Sequence, residues 1–173
     1  NASTFYSQKV QANLFNQIET GDITAKKFLT ELQKETNNAS INQVSKAWNA
    51  MLLDLPENRL AVIQSLKKEY SIYLLSNTNT IHIDAFKKKI GNIKWGEFCN
   101  LFDKMYLSHE LGLRKPNAAI FEYILREQNL NPQDVFFIDD SPEHIEGANK
   151  LGIKTHHLKN EEEIITLFPD KVQ

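Results

Sequence analysis

Two adjacent aspartates, Asp139 and Asp140, directly follow the apolar run 135–138. Neighbouring carboxylates repel each other, so each resists ionisation unless a cation compensates the charge. Oxygen ligands with room for water suit Mg²⁺, which usually shares its coordination shell with a phosphate group. The pair alone is equally typical of an acidic turn in which Ser141 caps a helix and Pro142 opens it. The two explanations are compatible, because Ser141 can cap the helix while Asp140 holds a metal.

Three further polar side chains follow apolar runs or precede helices in a way that suits phosphate binding. Ser76 and Asn77 come after the run 72–75, and Lys115 precedes Pro116, which we expect at the first position of a helix. Singly, Ser76 and Asn77 are typical turn residues and Lys115 is a typical surface lysine. With the aspartates they supply the donors, the cation and the metal ligands that a phosphoryl group requires. Ligands of open α/β sheets bind at the carboxyl ends of strands, so we expect all five side chains to converge at one sheet edge.

The elements that must position these residues begin at Pro56. From there, short apolar runs alternate with segments of helical periodicity. We predict strands over about 72–75, 104–107, 135–138 and 153–155, and helices over about 57–70, 81–90, 116–129 and 142–152, with a last helix ending near 168. This alternation predicts an α/β core with a Rossmann-like parallel sheet and helices on both faces.

Residues 1–55 show only helical periodicity. We predict one helix that ends near Gly21, a second that starts after Asp22 or Thr24, and a third that is capped by Ser40. Their inward-facing positions are predicted to be Phe5, Val10, Leu14, Ile18, Phe28, Leu29, Leu32, Ile41, Val44, Trp48, Met51 and Leu52. The predicted domains are therefore a small helical cap over 1–55 and the α/β core over 56–173.

Composition excludes several classes of partner. Twenty Lys and Arg residues against 22 Asp and Glu residues give a formal net charge of -2, without the basic field that nucleic acid or an anionic membrane selects. No apolar run is long enough to span a bilayer and no signal peptide is evident, so we expect a cytoplasmic protein, monomeric or weakly dimeric. Cys99 is the single cysteine, expected to be a buried small hydrophobe that forms no internal disulfide.

Three segments resemble motifs two, three and four of the haloacid dehalogenase (HAD)-like hydrolase superfamily, in the right order. They are LLSNTN, LGLRKPNAAIFEYIL and VFFIDDSPEHIEGANKLGI. The segment IETGDITAKKFLTEL is similar to the small cap of a subgroup of sugar-phosphate phosphatases such as α-D-glucose-1-phosphate phosphatase. The resemblance covers essentially the whole chain. It implies an Mg²⁺-dependent phosphatase of a small phosphorylated metabolite, such as a sugar phosphate.

The resemblance also implies a role for each predicted site residue. Ser76 would hydrogen-bond the transferring phosphoryl group, and Asn77 would support its loop. Lys115 would neutralise the phosphoryl group and the nucleophile. Asp140 would ligate Mg²⁺, while Asp139 would support the metal from the adjacent shell or contact Lys115.

Two positions depart from the family pattern. Family members usually carry Asp or Asn four residues after the metal-binding Asp, where this chain has His144; we expect a structural histidine. HAD phosphatases attack phosphorus with an Asp of a DxD-type motif that ends the first core strand, ahead of the cap. No DxD occurs in this sequence and no strand pattern precedes Phe5. We therefore expect the first strand to be missing from residues 1–173, with a gap in the sheet, and an upstream Asp to form the aspartyl-phosphate. The chain as given is expected to be inactive.

Three other functions compete with the phosphatase. A non-catalytic HAD-like protein that binds a phosphorylated ligand or a partner chain would explain the absent nucleophile. Haloacid dehalogenases share the fold but need no metal, so the aspartate pair argues against dehalogenation. Response-regulator receivers combine an acidic pair, a hydroxyl residue and a lysine, but their acidic pair comes first in the chain and their lysine last. Here Ser76 and Lys115 both precede Asp139, which excludes a receiver.

Overall fold

The computed structural model of the protein describes residues 13–36 and 38–171. The chain divides into two compact units: unit 1 comprises Asn1–Leu55 and Tyr73–Gly112, and unit 2 comprises Pro56–Ile72 and Leu113–Gln173. The boundary between residues 55 and 56 occurs in both this division and the predicted one. The assignment of 1–55 to a cap and 56–173 to a core stays a prediction.

Three helices open the described part of unit 1. Helix α1 covers 13–19, and α2 (Ala25–Lys34) and α3 (Ile41–Asn49) follow. Gly21 lies in the turn that follows α1. Its φ of 73° is in the left-handed region, which suits a residue without a side chain. The predicted cap at Ser40 is confirmed, because Ser40 forms a capping box with Gln43. Of the two starts predicted for α2, the structure has the one after Thr24, whose side chain accepts from the backbone N–H of Lys27.

The predicted apolar faces of these helices form the small core of unit 1. Ile18, Ile23 and Phe28 are buried, and Phe15 and Trp48 pack against them. Two predicted inward positions are wrong: Ile41 is 36% exposed and Met51 is 56% exposed. Helix α3 ends at Asn49, so Met51 lies in the turn beyond it and leaves the helical face. Predicted positions 5 and 10 lie outside the described residues.

Unit 1 also contains the first pair of strands. Strand β1 (Tyr73–Ser76) runs parallel to β2 (Lys104–Leu107), with Ser76 opposite Leu107. Helices α5 (Thr80–Ile90) and α6 (Asn92–Asn100) connect these strands, and α7 (Ser108–Leu111) follows β2.

Helix α6 was not predicted, because its aromatic residues do not form a regular amphipathic stripe. Instead, Trp95 and Phe98 pack edge-on against Phe86 of α5, with ring centroids 6.2 and 5.9 Å away. Cys99 of this helix is half-buried, and burial raises the pKa of its thiol despite the opposing charge of Lys87. The thiol therefore stays protonated, in line with its predicted role as a small packing residue.

Unit 2 contains the second pair of strands. Strand β3 (Phe136–Asp139) runs parallel to β4 (Lys154–His157), with Asp139 opposite His157. Three helices accompany them: α4 (Glu57–Leu66), α8 (Ala118–Glu127) and α9 (Pro142–Asn149). A 3₁₀ turn at Pro132–Asp134 precedes β3. After β4, the chain forms 3₁₀ turns at Ile164–Leu167 and Pro169–Lys171, so the predicted last helix is not a regular α-helix.

The α/β class with parallel strands is confirmed, but the strands form two two-stranded sheets, β1–β2 and β3–β4. Within the described part of the chain, no strand precedes β1. Strands β1 and β3 each lie one residue later than predicted, so Ser76 and Asp139 are the last residues of their strands. None of the described helices is long and apolar enough to cross a membrane.

Candidate active site

A buried ion pair joins Lys115 to the end of β3. The Lys115 Nζ donates to Asp139 Oδ2 at 2.6 Å, and the two side chains are only 8% and 7% exposed. The ammonium group also lies 5.5 Å from the centre of the Phe137 ring, within reach of a cation–π contact. A charge held this far from water needs a partner, so each of the two groups requires the other.

The second oxygen of Asp139 is also committed. Asp139 Oδ1 accepts from the backbone N–H of Ser141 and from Nδ1 of His144, both at 2.9 Å. Burial alone would raise the pKa of Asp139, but the hydrogen bond and charge of Lys115, with the bonds from Ser141 and His144, lower that pKa overall. Asp139 is therefore held as an anion whose two oxygens are already in use.

Close packing against α9 fixes the backbone beside Lys115. A Cβ built on Gly147 would lie 2.5 Å from the carbonyl oxygen of Pro116, so only glycine lets the helix approach this near. The same helix carries His144. Gly147 was missed from the sequence, although a glycine inside a helical pattern is a signal of close backbone approach.

One predicted helix start is wrong and another is confirmed. Pro116 does not open α8: the Lys115–Pro116 peptide bond is cis, and Asn117 caps the helix by accepting from the backbone N–H of Ala119. Ser141 stands at the N-cap position of α9 with Pro142 first in the helix, as predicted. Its hydroxyl donates to Glu143 at 2.8 Å and makes no capping bond.

Asp140 differs from its neighbour because its carboxylate is exposed to solvent. Its backbone oxygen accepts from His157 Nε2 at 3.1 Å, which fixes the main chain next to the exposed carboxylate. Among the described residues there is no group of three or more His, Cys, Asp or Glu side chains that could enclose a metal. A single exposed carboxylate fits Mg²⁺, which keeps several waters, and does not fit Zn²⁺, which takes three or four protein ligands.

In unit 1, the loop after β1 is anchored by side chains. The Ser108 hydroxyl accepts from the Thr78 N–H at 2.9 Å and donates to the Thr78 carbonyl at 3.0 Å. Asn79 is 1% exposed and accepts from the His82 N–H at 3.0 Å, which caps α5. These bonds hold the backbone next to Ser76. Ser108 was missed from the sequence, although its position directly after a parallel strand was the available signal.

The structure brings some of the predicted site residues together. Lys115 and Asp139 are in contact in unit 2, and Asp140 is the next residue in the chain. Ser76 and Asn77 are half-buried at the end of β1 in unit 1. The convergence of all five side chains at one point, and the role of each, stay predictions.

Comparison with known proteins identifies the family. Residues 5–157 match the family model described as haloacid dehalogenase-like hydrolase. The chain belongs to this family. The matched residues include both strand pairs, Lys115 and the two aspartates, so the residues of the candidate site lie within the family region.

Individual relatives are phosphatases and HAD enzymes. The D-ribitol-5-phosphate phosphatase of Bacteroides thetaiotaomicron is 27% identical over 160 residues, which are 92% of this chain and 78% of that protein. The crystal structure of a HAD family enzyme from Bacteroides thetaiotaomicron, in complex with magnesium and inorganic phosphate, is 34% identical, with a TM-score of 0.78 and coverage of 90% and 79%. The structure of a predicted HAD-like family hydrolase from Porphyromonas gingivalis is 29% identical, with a TM-score of 0.76 and coverage of 91% and 77%. The chain is thus that of a HAD-like phosphatase.

Proposed function

We propose that this HAD-like phosphatase is Mg²⁺-dependent and hydrolyses a small phosphorylated metabolite, such as a sugar phosphate, in the cytoplasm. The observation that carries the proposal is the contrast between the two aspartates. Asp139 is buried and bound at both oxygens, whereas the adjacent Asp140 carboxylate is exposed. One carboxylate is thus available for a metal while the other holds the lysine.

The lysine and the metal would act on the same negative charge. Lys115, fixed by Asp139, offsets the charge of the phosphoryl group during transfer. Asp140 would hold Mg²⁺, which supplies a further positive charge next to the phosphate oxygens when it is bound. His144 and the Ser141 N–H keep Asp139 in place, so the ammonium group stays where the charge develops.

The remaining roles go to groups outside unit 2. Ser76 and Asn77 would donate hydrogen bonds to phosphoryl oxygens from the anchored end of β1. The attacking carboxylate would be an aspartate encoded upstream of Asn1, which forms an aspartyl-phosphate that water then hydrolyses. The relatives support a magnesium-dependent phosphatase of this kind, since one is named for its action on D-ribitol 5-phosphate and another was crystallised with magnesium and inorganic phosphate.

The test uses the full gene product and the variant Asp140→Asn. We expect Mg²⁺-dependent release of phosphate from p-nitrophenyl phosphate and from sugar phosphates, lost on addition of EDTA. Asp140→Asn should lower the rate by at least about 100-fold and weaken Mg²⁺ binding in calorimetry. Asp134→Asn, an exposed carboxylate in the same unit, is the matched control. If the unmodified protein binds phosphate but hydrolyses no phosphate ester, it is instead a HAD-like binding protein.

A further inference from the structure

The two peptide groups that flank the Cα of Asp140 are both held by hydrogen bonds. In the preceding group, the Asp139 carbonyl accepts from the backbone N–H of Leu158 at 3.0 Å. In the following group, the Asp140 carbonyl accepts from His157 Nε2 at 3.1 Å. The N–H of that same group, on Ser141, donates to Asp139 Oδ1 at 2.9 Å. The direction in which the Asp140 side chain leaves the main chain is therefore set before any metal binds.

The register of β4 against β3 brings His157 to this position. His157 is the last residue of β4 and lies opposite Asp139, the last residue of β3. Its side chain reaches the carbonyl of Asp140, one residue beyond the end of the partner strand. A carbonyl oxygen only accepts, so Nε2 of His157 carries a proton in this contact. His157 thus extends the support of the sheet to the residue that follows it.

The histidine next to it has a different partner. His156 Nε2 bonds to Glu162 at 2.9 Å, in the segment that follows β4. Successive side chains of a strand point to opposite faces of the sheet, so the two histidines serve different sides of β4. Of this pair, His157 alone contacts the backbone of Asp140 within the described residues.

We infer that His157 is a positioning residue for the predicted Mg²⁺ ligand Asp140. The inference rests on the proposed function, in which the Asp140 carboxylate holds the metal. A carboxylate on a fixed main chain loses less conformational freedom on binding a metal than one on a mobile turn. Groups that orient a metal ligand from outside the coordination shell accordingly raise metal affinity. His157 acts through the backbone of Asp140 and is not itself a ligand.

His157 can be changed without disturbing the buried charges of the site. Of the three bonds that hold the flanking peptide groups, the one from Leu158 is a backbone bond of the sheet. The one from Ser141 ends on Asp139, which also pairs with Lys115. The third comes from the His157 side chain and involves neither member of that ion pair. A substitution at His157 therefore isolates the support of the Asp140 main chain.

The test substitutes His157 in the full gene product. His157→Met removes the donor, whereas His157→Gln keeps an N–H donor on a side chain of similar length. His156→Met is the matched control, because it makes the same change at the adjacent position of β4, where the partner is Glu162. Calorimetry with magnesium chloride gives the Kd of Mg²⁺ for each protein. Initial rates with p-nitrophenyl phosphate give the Mg²⁺ concentration for half-maximal activity.

We expect His157→Met to raise the Kd of Mg²⁺ by about three- to tenfold, the effect of one partly exposed hydrogen bond on a metal ligand. The Mg²⁺ concentration for half-maximal activity should rise by the same factor, while kcat at saturating Mg²⁺ stays at its original value. His157→Gln and His156→Met should retain the original Kd. If His157→Met does not fold, His157→Asn takes its place, since its shorter side chain withdraws the donor from the carbonyl.

Two results would overturn the inference. A lower Tm in His157→Met with an unchanged Kd of Mg²⁺ would show that His157 only stabilises the fold. An equal rise of the Kd in His157→Gln and His157→Met would assign the effect to side-chain packing rather than to the hydrogen bond.

The binding measurement also separates this inference from the proposed function. If the unmodified protein binds Mg²⁺ but hydrolyses no phosphate ester, the phosphatase proposal fails. The inference still stands in that case when His157→Met weakens Mg²⁺ binding and His157→Gln does not. Equal Kd values in all four proteins, together with Mg²⁺-dependent hydrolysis, would overturn the inference and leave the phosphatase in place. Absence of Mg²⁺ binding by the unmodified protein would overturn both.

Discussion

The strand ends of the two units are held by opposite kinds of interaction. At the end of β1 in unit 1, neutral groups are fixed by neutral partners: one serine hydroxyl binds both backbone groups of Thr78, and Asn79 caps α5. At the end of β3 in unit 2, Asp139 is fixed by a lysine, a histidine and one backbone N–H. A neutral loop tolerates the loss of one bond, whereas a buried charge does not tolerate the loss of its counter-charge.

The largest effect is expected from removal of the lysine. Lys115→Met leaves the Asp139 carboxylate buried without its cation, which should cost about 3–5 kcal/mol of unfolding free energy. It also removes a charge that would stabilise phosphoryl transfer, so phosphate release by the full gene product should fall by about 100- to 1,000-fold. Urea denaturation and initial rates measure the two effects.

Lys150→Met provides the control for the buried lysine. Lys150 pairs with Glu146 at 2.7 Å in the same unit, but their side chains are 70% and 67% exposed. Water screens this pair, so its loss should cost less than about 1 kcal/mol. Equal losses in the two lysine variants would show that the Lys115 pair is not the main support of Asp139.

A smaller effect is expected when a side chain is added to α9 where that helix packs against Pro116, the residue next to Lys115. Gly147→Ala places a Cβ 2.5 Å from the Pro116 carbonyl, which must move and shift Lys115. We expect a loss of about 1–3 kcal/mol together with reduced activity. Gly96→Ala is the matched helical control, since no atom lies within 4 Å of its added Cβ. That variant should be neutral or gain up to about 1 kcal/mol.

The neutral strand end is tested by Ser108→Ala. The variant leaves the N–H and the carbonyl of Thr78 without their shared partner, and we expect a loss of about 1–3 kcal/mol. Thr30→Ala removes an exposed hydroxyl that donates to the Lys26 carbonyl, and it should change stability by less than about 0.5 kcal/mol. Thermal unfolding of both variants gives the comparison. A loss in Ser108→Ala as large as that in Lys115→Met would contradict the contrast between the two strand ends.

The smallest effect is a pH dependence in unit 1. Burial lowers the pKa of His82 from its usual 6.5, despite the opposing bond to the Trp48 carbonyl and the charge of Glu19. As the pH falls, His82 therefore takes up a proton in the unfolded chain at a higher pH than in the folded protein. The contribution of His82 is fully present above pH 6.5 and is lost as the pH falls below this value. Tm should decrease between pH 7.5 and pH 5.5, and the decrease should be smaller in His82→Gln, in which this group no longer titrates.

Local chemistry made much of the fold predictable from the sequence. The caps at Thr24 and Ser40 follow from side-chain hydrogen bonding, and the strands follow from apolar runs bounded by polar residues. Helix α6 was missed because tertiary aromatic contacts, rather than amphipathic periodicity, hold it in place. The start of α8 was misplaced because Pro116 precedes a cap at Asn117.

The candidate site was predictable in residue type but not in contacts. The sequence pattern singles out Lys115, Asp139 and Asp140, and contact with the lysine is one of the two arrangements that the family resemblance implies for Asp139. The pattern did not show which aspartate is buried, because burial depends on where β3 ends and on which aspartate the Lys115 side chain contacts. Ser108 and Gly147 act through partners 30 or more positions away in the chain, which local periodicity does not reveal.

The bond between Ser108 and Thr78 has a consequence for protein design. The loop that follows β1 owes its shape to a hydroxyl group 30 positions later in the chain. Grafting residues 76–79 onto another scaffold would therefore transfer the sequence but not the backbone conformation. A transplant that keeps the conformation must also carry β2 and Ser108, the residue that directly follows it. The smallest unit that retains this loop is therefore the strand pair together with Ser108.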